Sequence, residues 1–112
     1  MQFEPINILL IEDDPAAAEI VQGLIREDAS LFKLQWADHL QAGLDRLTAG
    51  GIDLVLLDFG LPDSEGLETF LRTHEHSPTV AIVPLTATGD EALALRAIQL
   101  GAEDYIFKGS VN

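Results

Sequence analysis

Short, strongly apolar runs alternate along this chain with segments whose apolar residues recur at helical spacing. The clearest runs lie at 8–11, 54–57 and 105–107. Apolar runs of this length, bounded by turn residues, are typical of strands that are buried on both faces of a parallel sheet. The alternation therefore predicts an α/β domain in which each strand except the last is followed by a helix.

The predicted elements follow the order (βα)₄β. Strands are expected at 6–11, 33–37, 52–57, 79–85 and 104–107, with a fourth helix at 90–100. We expect Asp14 to cap the first helix and Asp38 to cap the second. The apolar residues expected to face the core from the first three helices are Ile20, Val21, Leu24 and Ile25, then Leu40, Leu44 and Leu47, then Leu67, Phe70 and Leu71. Short connections between these elements predict a doubly wound sheet with right-handed crossovers.

Composition narrows the class of protein and of partner. The chain has 112 residues, the size of one domain, and 47% of them are hydrophobic. The formal net charge is −13, with 19 acidic residues and 6 scattered basic ones, so we expect no binding to nucleic acid or to an anionic membrane. The start lacks a signal-peptide pattern, which predicts a cytoplasmic protein. The absence of cysteine excludes disulfides and thiol metal sites.

Charged residues close three of the predicted strands. Glu12, Asp13 and Asp14 follow the first, Asp58 follows the third, and Lys108 follows the fifth. Because parallel strands deliver their carboxyl ends to one edge, we expect four carboxylates and one ammonium in one pocket. Crowded carboxylates repel unless a proton or a divalent cation joins them. Mg²⁺ commonly takes one or two carboxylates together with phosphate oxygens, and a carboxylate is a competent nucleophile for phosphoryl transfer.

Four segments together carry a resemblance to a known family. They run Ile8 to Asp14, Asp53 to Pro62, Pro84 to Ala87, and Gly101 to Lys108. In their order and spacing the chain resembles the receiver domain of bacterial two-component response regulators. The resemblance implies a flavodoxin-like, doubly wound, five-stranded parallel sheet of strand order 2-1-3-4-5.

The resemblance also implies a role for each residue at the strand ends. Asp58 would accept a phosphoryl group from a sensor histidine kinase or a phosphotransfer protein. The implied Mg²⁺ ligands are Glu12, Asp13, Asp58 and the backbone carbonyl of Gly60. Thr86 would hydrogen-bond the phosphoryl group, Lys108 would pair with it, and the Tyr105 ring would change position in the switch. A downstream output domain or effector would read that switch.

Two other functions stay open at this point. The first is a receiver-like dimerisation or scaffold module that works without phosphorylation. The second is a Mg²⁺ phosphohydrolase with an aspartate nucleophile, which a chain without a substrate-covering cap disfavours. We otherwise expect a phosphoacceptor rather than an enzyme, in one receiver domain over 1–112 that stops before its last helix. Without that helix, the sheet face beside the first helix is left partly uncovered, so we expect a further part of the protein or a partner, such as a second copy in a homodimer, to cover it.

Overall fold

The structure is a computed structural model that describes the backbone of residues 4–111 and the side chains of 4–109. Strands and helices alternate as the pattern predicts. The strands are β1 (Ile6–Ile11), β2 (Phe32–Ala37), β3 (Leu54–Asp58), β4 (Gly60–Leu61), β5 (Ser64–Glu65), β6 (Ala81–Thr86) and β7 (Ile106–Phe107). The helices are α1 (Pro15–Arg26), α2 (Leu40–Thr48), α3 (Leu67–His76) and α4 (Glu91–Gln99), and a 3₁₀ turn spans Lys108–Val111.

Five parallel strands form one sheet in the order β2-β1-β3-β6-β7. With the five main strands numbered in chain order this is 2-1-3-4-5, as predicted. The register carries Ile11 beside Leu57 and Asp58 beside Leu85. The carboxyl ends of the central strands therefore lie level with one another at one edge of the sheet.

Helices cover both faces of this sheet, as a doubly wound fold requires. α2, α3 and α4 pack on one face, where Leu40 and Phe70 belong to the larger buried cluster. α1 packs on the other face through Ala18 and Val21. Residues 8–11 of β1 are almost completely buried, because this strand has a neighbour on each side and helices on both faces. Within residues 4–111, no helix is long and apolar enough to cross a membrane.

Two of the predicted helix stripes are only partly correct. Val21 is buried and Ile25 is half-buried in α1, but Ile20 and Leu24 are exposed. In α3 the prediction for Leu71 is wrong, because this side chain is also exposed. Its place is taken by Thr69 and Thr73, which are buried on the core face beside Phe70.

Threonine can occupy that core face because its hydroxyl finds a partner inside the helix. Thr73 Oγ1 donates to the Thr69 carbonyl at 2.8 Å. The buried polar atom is therefore satisfied without contact to water. A core face predicted only from apolar residues at helical spacing misses such positions, because threonine is counted as polar even when its hydroxyl bonds within the helix.

Of the two predicted helix caps, one is confirmed and one is wrong. Asp14 caps α1 as predicted, and its Oδ1 accepts from the Ala16 N–H at 3.0 Å. The prediction that Asp38 caps α2 is wrong, because His39 occupies the capping position and makes no side-chain bond there. The first two amides of α2 donate instead to Asp63, which lies in the connection between β3 and α3.

The last strand is shorter than predicted. Only Ile106 and Phe107 pair with β6, opposite Leu85 and Thr86. Pro84, the residue before this short ladder, has no N–H to donate, while the register of β6 with β3 continues through it. Tyr105, predicted to lie within the strand, therefore lies just before it.

Candidate functional site at the carboxyl edge of the sheet

Three carboxylates lie together where β1 and β3 end. Oxygen atoms of Glu12, Asp13 and Asp58 all lie within 4.8 Å of one another. Asp58 is the last residue of β3, and Glu12 and Asp13 follow β1 directly. Glu12 and Asp58 are buried, with 1% and 7% of their surfaces exposed, whereas Asp13 faces solvent. The cluster therefore has two buried carboxylates and one that is open to solvent.

Lys108 joins the two buried acids. Its Nζ lies 2.9 Å from Glu12 Oε2 and 3.1 Å from Asp58 Oδ1. The side chain reaches them because Lys108 directly follows β7, and β7 lies beside β6 at the same edge. Two buried negative charges thus share one positive charge, which lowers the repulsion between them.

Burial changes the proton affinity of Glu12. Loss of water around its carboxyl group raises its pKa to about 7 from an ordinary 4.5. The Lys108 ammonium acts in the opposite direction, and the neighbouring Asp58 charge raises the value further. For Lys108, burial lowers the pKa, but the contacts with Glu12 and Asp58 outweigh burial and raise the pKa above its ordinary value. The ammonium therefore keeps its charge.

The pKa of Glu12 predicts how stability changes with pH. An acid whose pKa is raised by folding holds its proton more tightly in the folded chain. The stability that Glu12 gains from its bound proton is therefore fully present below about pH 4.5 and is lost as the pH rises to about 7. Glu12→Gln removes this titration. We expect the variant to match the wild type at pH 5 and to exceed its free energy of unfolding by roughly 2 kcal/mol at pH 8.

The measurement is urea denaturation of both proteins in the presence of a chelator. Glu65→Gln serves as the control, because Glu65 is an exposed acid in the connection after β3. A stability difference between Glu12→Gln and the wild type that stays constant from pH 5 to pH 8 would show that Glu12 does not titrate in this range.

The donor set fits a hard divalent cation. All three side chains offer carboxylate oxygens, the ligands that Mg²⁺ and Mn²⁺ take in proteins. One Glu12 oxygen accepts from the Asp14 N–H at 3.2 Å, and the other, which is buried, has Lys108 as its partner. The buried oxygen can therefore turn from the ammonium to a cation without losing a further hydrogen bond.

The other three predicted site residues lie on the strands next to this cluster or in the connections between them. Thr86 ends β6, is fully buried, and donates through Oγ1 to the Ile106 carbonyl at 3.3 Å. Gly60 begins β4, two residues after Asp58. Tyr105 is 36% exposed and precedes β7. Thr86 thus belongs to the short pairing between β6 and β7, and Tyr105 directly precedes the β7 side of it.

Two openings reach the cluster. One, of about 540 Å³, is bordered by Asp58 and Gly60 and by the residues that follow β6. The other, of about 240 Å³, is bordered by Glu12 and Lys108 and has an apolar wall from α1. Asp58 borders the larger opening, so a small reactant in solution has access to its carboxylate there.

The connection between β3 and α3 contains regular structure. β4 and β5 form a small antiparallel hairpin, and Gly66 N–H donates to the Phe59 carbonyl at 2.8 Å. Asp63, at the turn of the hairpin, accepts from Leu40 N–H at 2.7 Å and Gln41 N–H at 2.9 Å. Burial alone would raise the pKa of Asp63, but these two donors hold the pKa below its ordinary value.

Two residues with contacts close to the site were not found from the sequence. Nothing in the local sequence distinguishes Asp63 from an ordinary turn residue, since its partners lie more than twenty residues earlier in the chain. Trp36, in β2, donates through its indole N–H to the Glu12 carbonyl at 2.7 Å. No local pattern indicates either contact, although Trp36 is the single tryptophan of the chain.

Comparison with known proteins agrees with this arrangement. A family model described as the response regulator receiver domain matches residues 8–111. The KDP operon transcriptional regulatory protein KdpE of Escherichia coli (strain K12) is 32% identical over 102 residues, which cover 91% of this chain and 44% of KdpE. The chain thus spans less than half the length of this relative.

Solved structures share the fold. A response regulator receiver domain protein from Clostridium thermocellum superposes with a TM-score of 0.81 at 27% identity, over 92% of this chain and 82% of that one. The Mn²⁺-bound form of response regulator Rcp1 superposes with a TM-score of 0.78 at 24% identity, over 92% of this chain and 81% of that one.

Proposed function

Because this chain belongs to the response regulator receiver domain family, we propose that it accepts a phosphoryl group on Asp58 in a Mg²⁺-dependent reaction. The observation that carries the proposal is the position of the Asp58 carboxylate. It lies beside the acids Glu12 and Asp13 and within 3.1 Å of the Lys108 ammonium, which also contacts Glu12. A nucleophile, a place for a divalent cation and a fixed positive charge thus meet at the edge of one sheet.

The proposed reaction forms one bond and breaks another at phosphorus. An oxygen of Asp58 attacks, and an aspartyl phosphate forms. The bond to the donor breaks, and its electron pair leaves with a histidine nitrogen of the kinase or with the acetate oxygen of acetyl phosphate. Charge spreads over the three transferring oxygens, so stabilising that charge and aligning the reactants supply most of the catalysis.

Each neighbouring group would have a part in holding that charge. Glu12 and Asp13, with Asp58 and the Gly60 carbonyl, would hold the Mg²⁺, which when bound supplies positive charge to the transferring oxygens. Lys108, now 3.1 Å from Asp58 Oδ1, would exchange this contact for one with a phosphoryl oxygen. Its partner Glu12 would keep the ammonium close during this exchange.

The proposed switch follows from the present hydrogen bond of Thr86. Its hydroxyl donates to the Ile106 carbonyl, so donation to a phosphoryl group would remove one bond between β6 and β7. That ladder has only two residue pairs, and Tyr105 directly precedes it. A shift of Thr86 would therefore free Tyr105 and change the surface around β7. An output domain or effector would bind this altered surface.

The donor would be a sensor histidine kinase or a phosphotransfer protein, and the chain would act in the cytoplasm. Relatives such as KdpE and the swarming motility regulation protein RssB of Serratia marcescens support this assignment. The net charge of −13 disfavours direct contact with nucleic acid, so an output on DNA would need another segment or a partner.

Acetyl phosphate and Mg²⁺ provide the test. We expect intact-mass analysis to show one added phosphoryl group per chain, which is lost in alkali, and no addition when a chelator removes the cation. A scaffold module would show no adduct under either condition. A phosphohydrolase would instead release phosphate from an external phosphoester over many turnovers, without a stoichiometric adduct.

A further inference from the structure

The indole of Trp36 fixes the backbone at the start of the acid cluster. Trp36 is the penultimate residue of the edge strand β2, and 41% of its surface is exposed. Its Nε1–H donates to the Glu12 carbonyl at 2.7 Å, a bond that crosses from β2 to the residue that follows β1. The indole thus contributes two kinds of contact: its half-covered ring makes apolar contact, and its N–H makes a short, directional hydrogen bond.

The position of this bond explains what it does. Pairing of β1 with β2 ends at Ile11 and Ala37, and the Glu12 N–H still donates to the Ala37 carbonyl at 3.0 Å. Beyond this point β2 leads into α2, and no backbone amide among the described residues 4–111 continues the ladder to the Glu12 carbonyl. The indole N–H takes the position of that missing ladder donor. Both backbone groups of Glu12 are consequently held by β2.

The Glu12 carbonyl belongs to the peptide unit that also contains the Asp13 nitrogen. Fixing this carbonyl restricts the plane of that unit, and with it the position of the Asp13 Cα from which the side chain starts. Packing alone does not account for Trp36. Phe32 and Leu34, on the same face of β2, are the residues that contact the apolar cluster under α1.

We propose that Trp36 is a positioning residue for divalent-cation binding, which acts on Glu12 and Asp13 through the Glu12 carbonyl. The proposal rests on the proposed function, since it concerns the same cation site. Groups that orient metal ligands without touching the metal commonly set its affinity. Phenylalanine in this position keeps an aromatic ring but offers no N–H donor.

The first test measures Mn²⁺ binding from the electron paramagnetic resonance signal of the free ion. We expect Trp36→Phe to bind Mn²⁺ about 3- to 10-fold more weakly than the wild type, the range expected for loss of one orienting hydrogen bond. Leu34→Ala is the matched control, because it removes apolar contact from the same face of β2 without touching Glu12. We expect this control to lower stability and to leave Mn²⁺ affinity unchanged.

The second test uses the wild type alone, so it does not depend on a variant that folds. With a single tryptophan, a ¹H–¹⁵N spectrum contains one indole resonance. We expect this resonance to shift as Mg²⁺ is added, with the same half-saturation as binding measured by calorimetry. An indole resonance that stays in place at saturating Mg²⁺ would overturn the proposal.

The remaining outcomes separate this proposal from the proposed function. Equal Mn²⁺ affinity in the wild type and in Trp36→Phe overturns the positioning role and leaves the cation site intact. Equal weakening by Trp36→Phe and Leu34→Ala overturns it as well, because the effect then follows strand stability. A wild type that binds neither ion overturns the cation site itself, and the role of Trp36 with it.

Discussion

Asp58→Asn is expected to abolish the phosphoryl adduct that acetyl phosphate and Mg²⁺ form with the wild type. An amide oxygen is a poor nucleophile, and the amide removes one of the three anionic groups that would hold the cation. The substitution leaves the ion pair between Lys108 and Glu12 in place and ends the repulsion between the two buried acids. We therefore expect Asp58→Asn to fold, with a free energy of unfolding close to or above that of the wild type.

Intact-mass analysis after a fixed reaction time measures the adduct. Glu103→Gln is the matched control, since it makes the same change of charge at an exposed residue of the connection into β7. The control should accept one phosphoryl group as the wild type does. An adduct of equal yield in Asp58→Asn would place the acceptor on another residue and refute the proposed role of Asp58.

Lys108→Met is expected to separate cation binding from phosphoryl transfer. Loss of the ammonium removes the positive charge that would meet a transferring oxygen, and removal of one such group typically lowers the rate about 100-fold or more. The same loss should strengthen Mg²⁺ binding several-fold at pH 8.5, because the ammonium no longer competes for Glu12 Oε2 and Asp58 Oδ1. Methionine preserves most of the volume of the aliphatic stem.

The pH matters for the second half of this prediction. Without Lys108, which lowers it, the pKa of Glu12 should rise from its present value of about 7, so near neutrality a proton would compete with the cation. Calorimetric titration with Mg²⁺ at pH 8.5, together with the rate of adduct formation, gives both quantities. Lys33→Met, at the other lysine of the chain and exposed on β2, should change neither. A Mg²⁺ affinity that falls with the phosphorylation rate would contradict the idea that the ammonium and the cation compete.

The sheet and the residues at its edge could be predicted from the sequence because their signals are local. An apolar run marks each central strand, and the residue that closes the run marks its end. The parallel order then brings Glu12, Asp13, Asp58 and Lys108 together without any knowledge of their side-chain contacts. The expectation that these groups share one pocket needed only the strand ends.

The predictions that failed concern contacts whose strength depends on distant parts of the chain. Aspartate is a common capping residue, which is why Asp38 was predicted to cap α2. The first amides of α2 donate to Asp63 instead, because the hairpin after β3 brings its carboxylate to them. Leu71 has the right hydrophobicity but lies on the outer side of α3, and the hydroxyl of Thr73 is satisfied by its own helix. The length of β7 was overestimated, because only Ile106 and Phe107 pair with β6.

The bonds from Asp63 to α2 have a consequence for how ligands meet this edge of the sheet. The segment that contains Gly60 is tied to α2 by Asp63 and to its own start by the bond from Gly66 to Phe59. Its conformational entropy is therefore lost during folding, and an arriving ion or phosphodonor need not order it again. Any later displacement of this segment must either break those bonds or move the first turn of α2, which couples the acid cluster to a helix that contributes none of its charged groups.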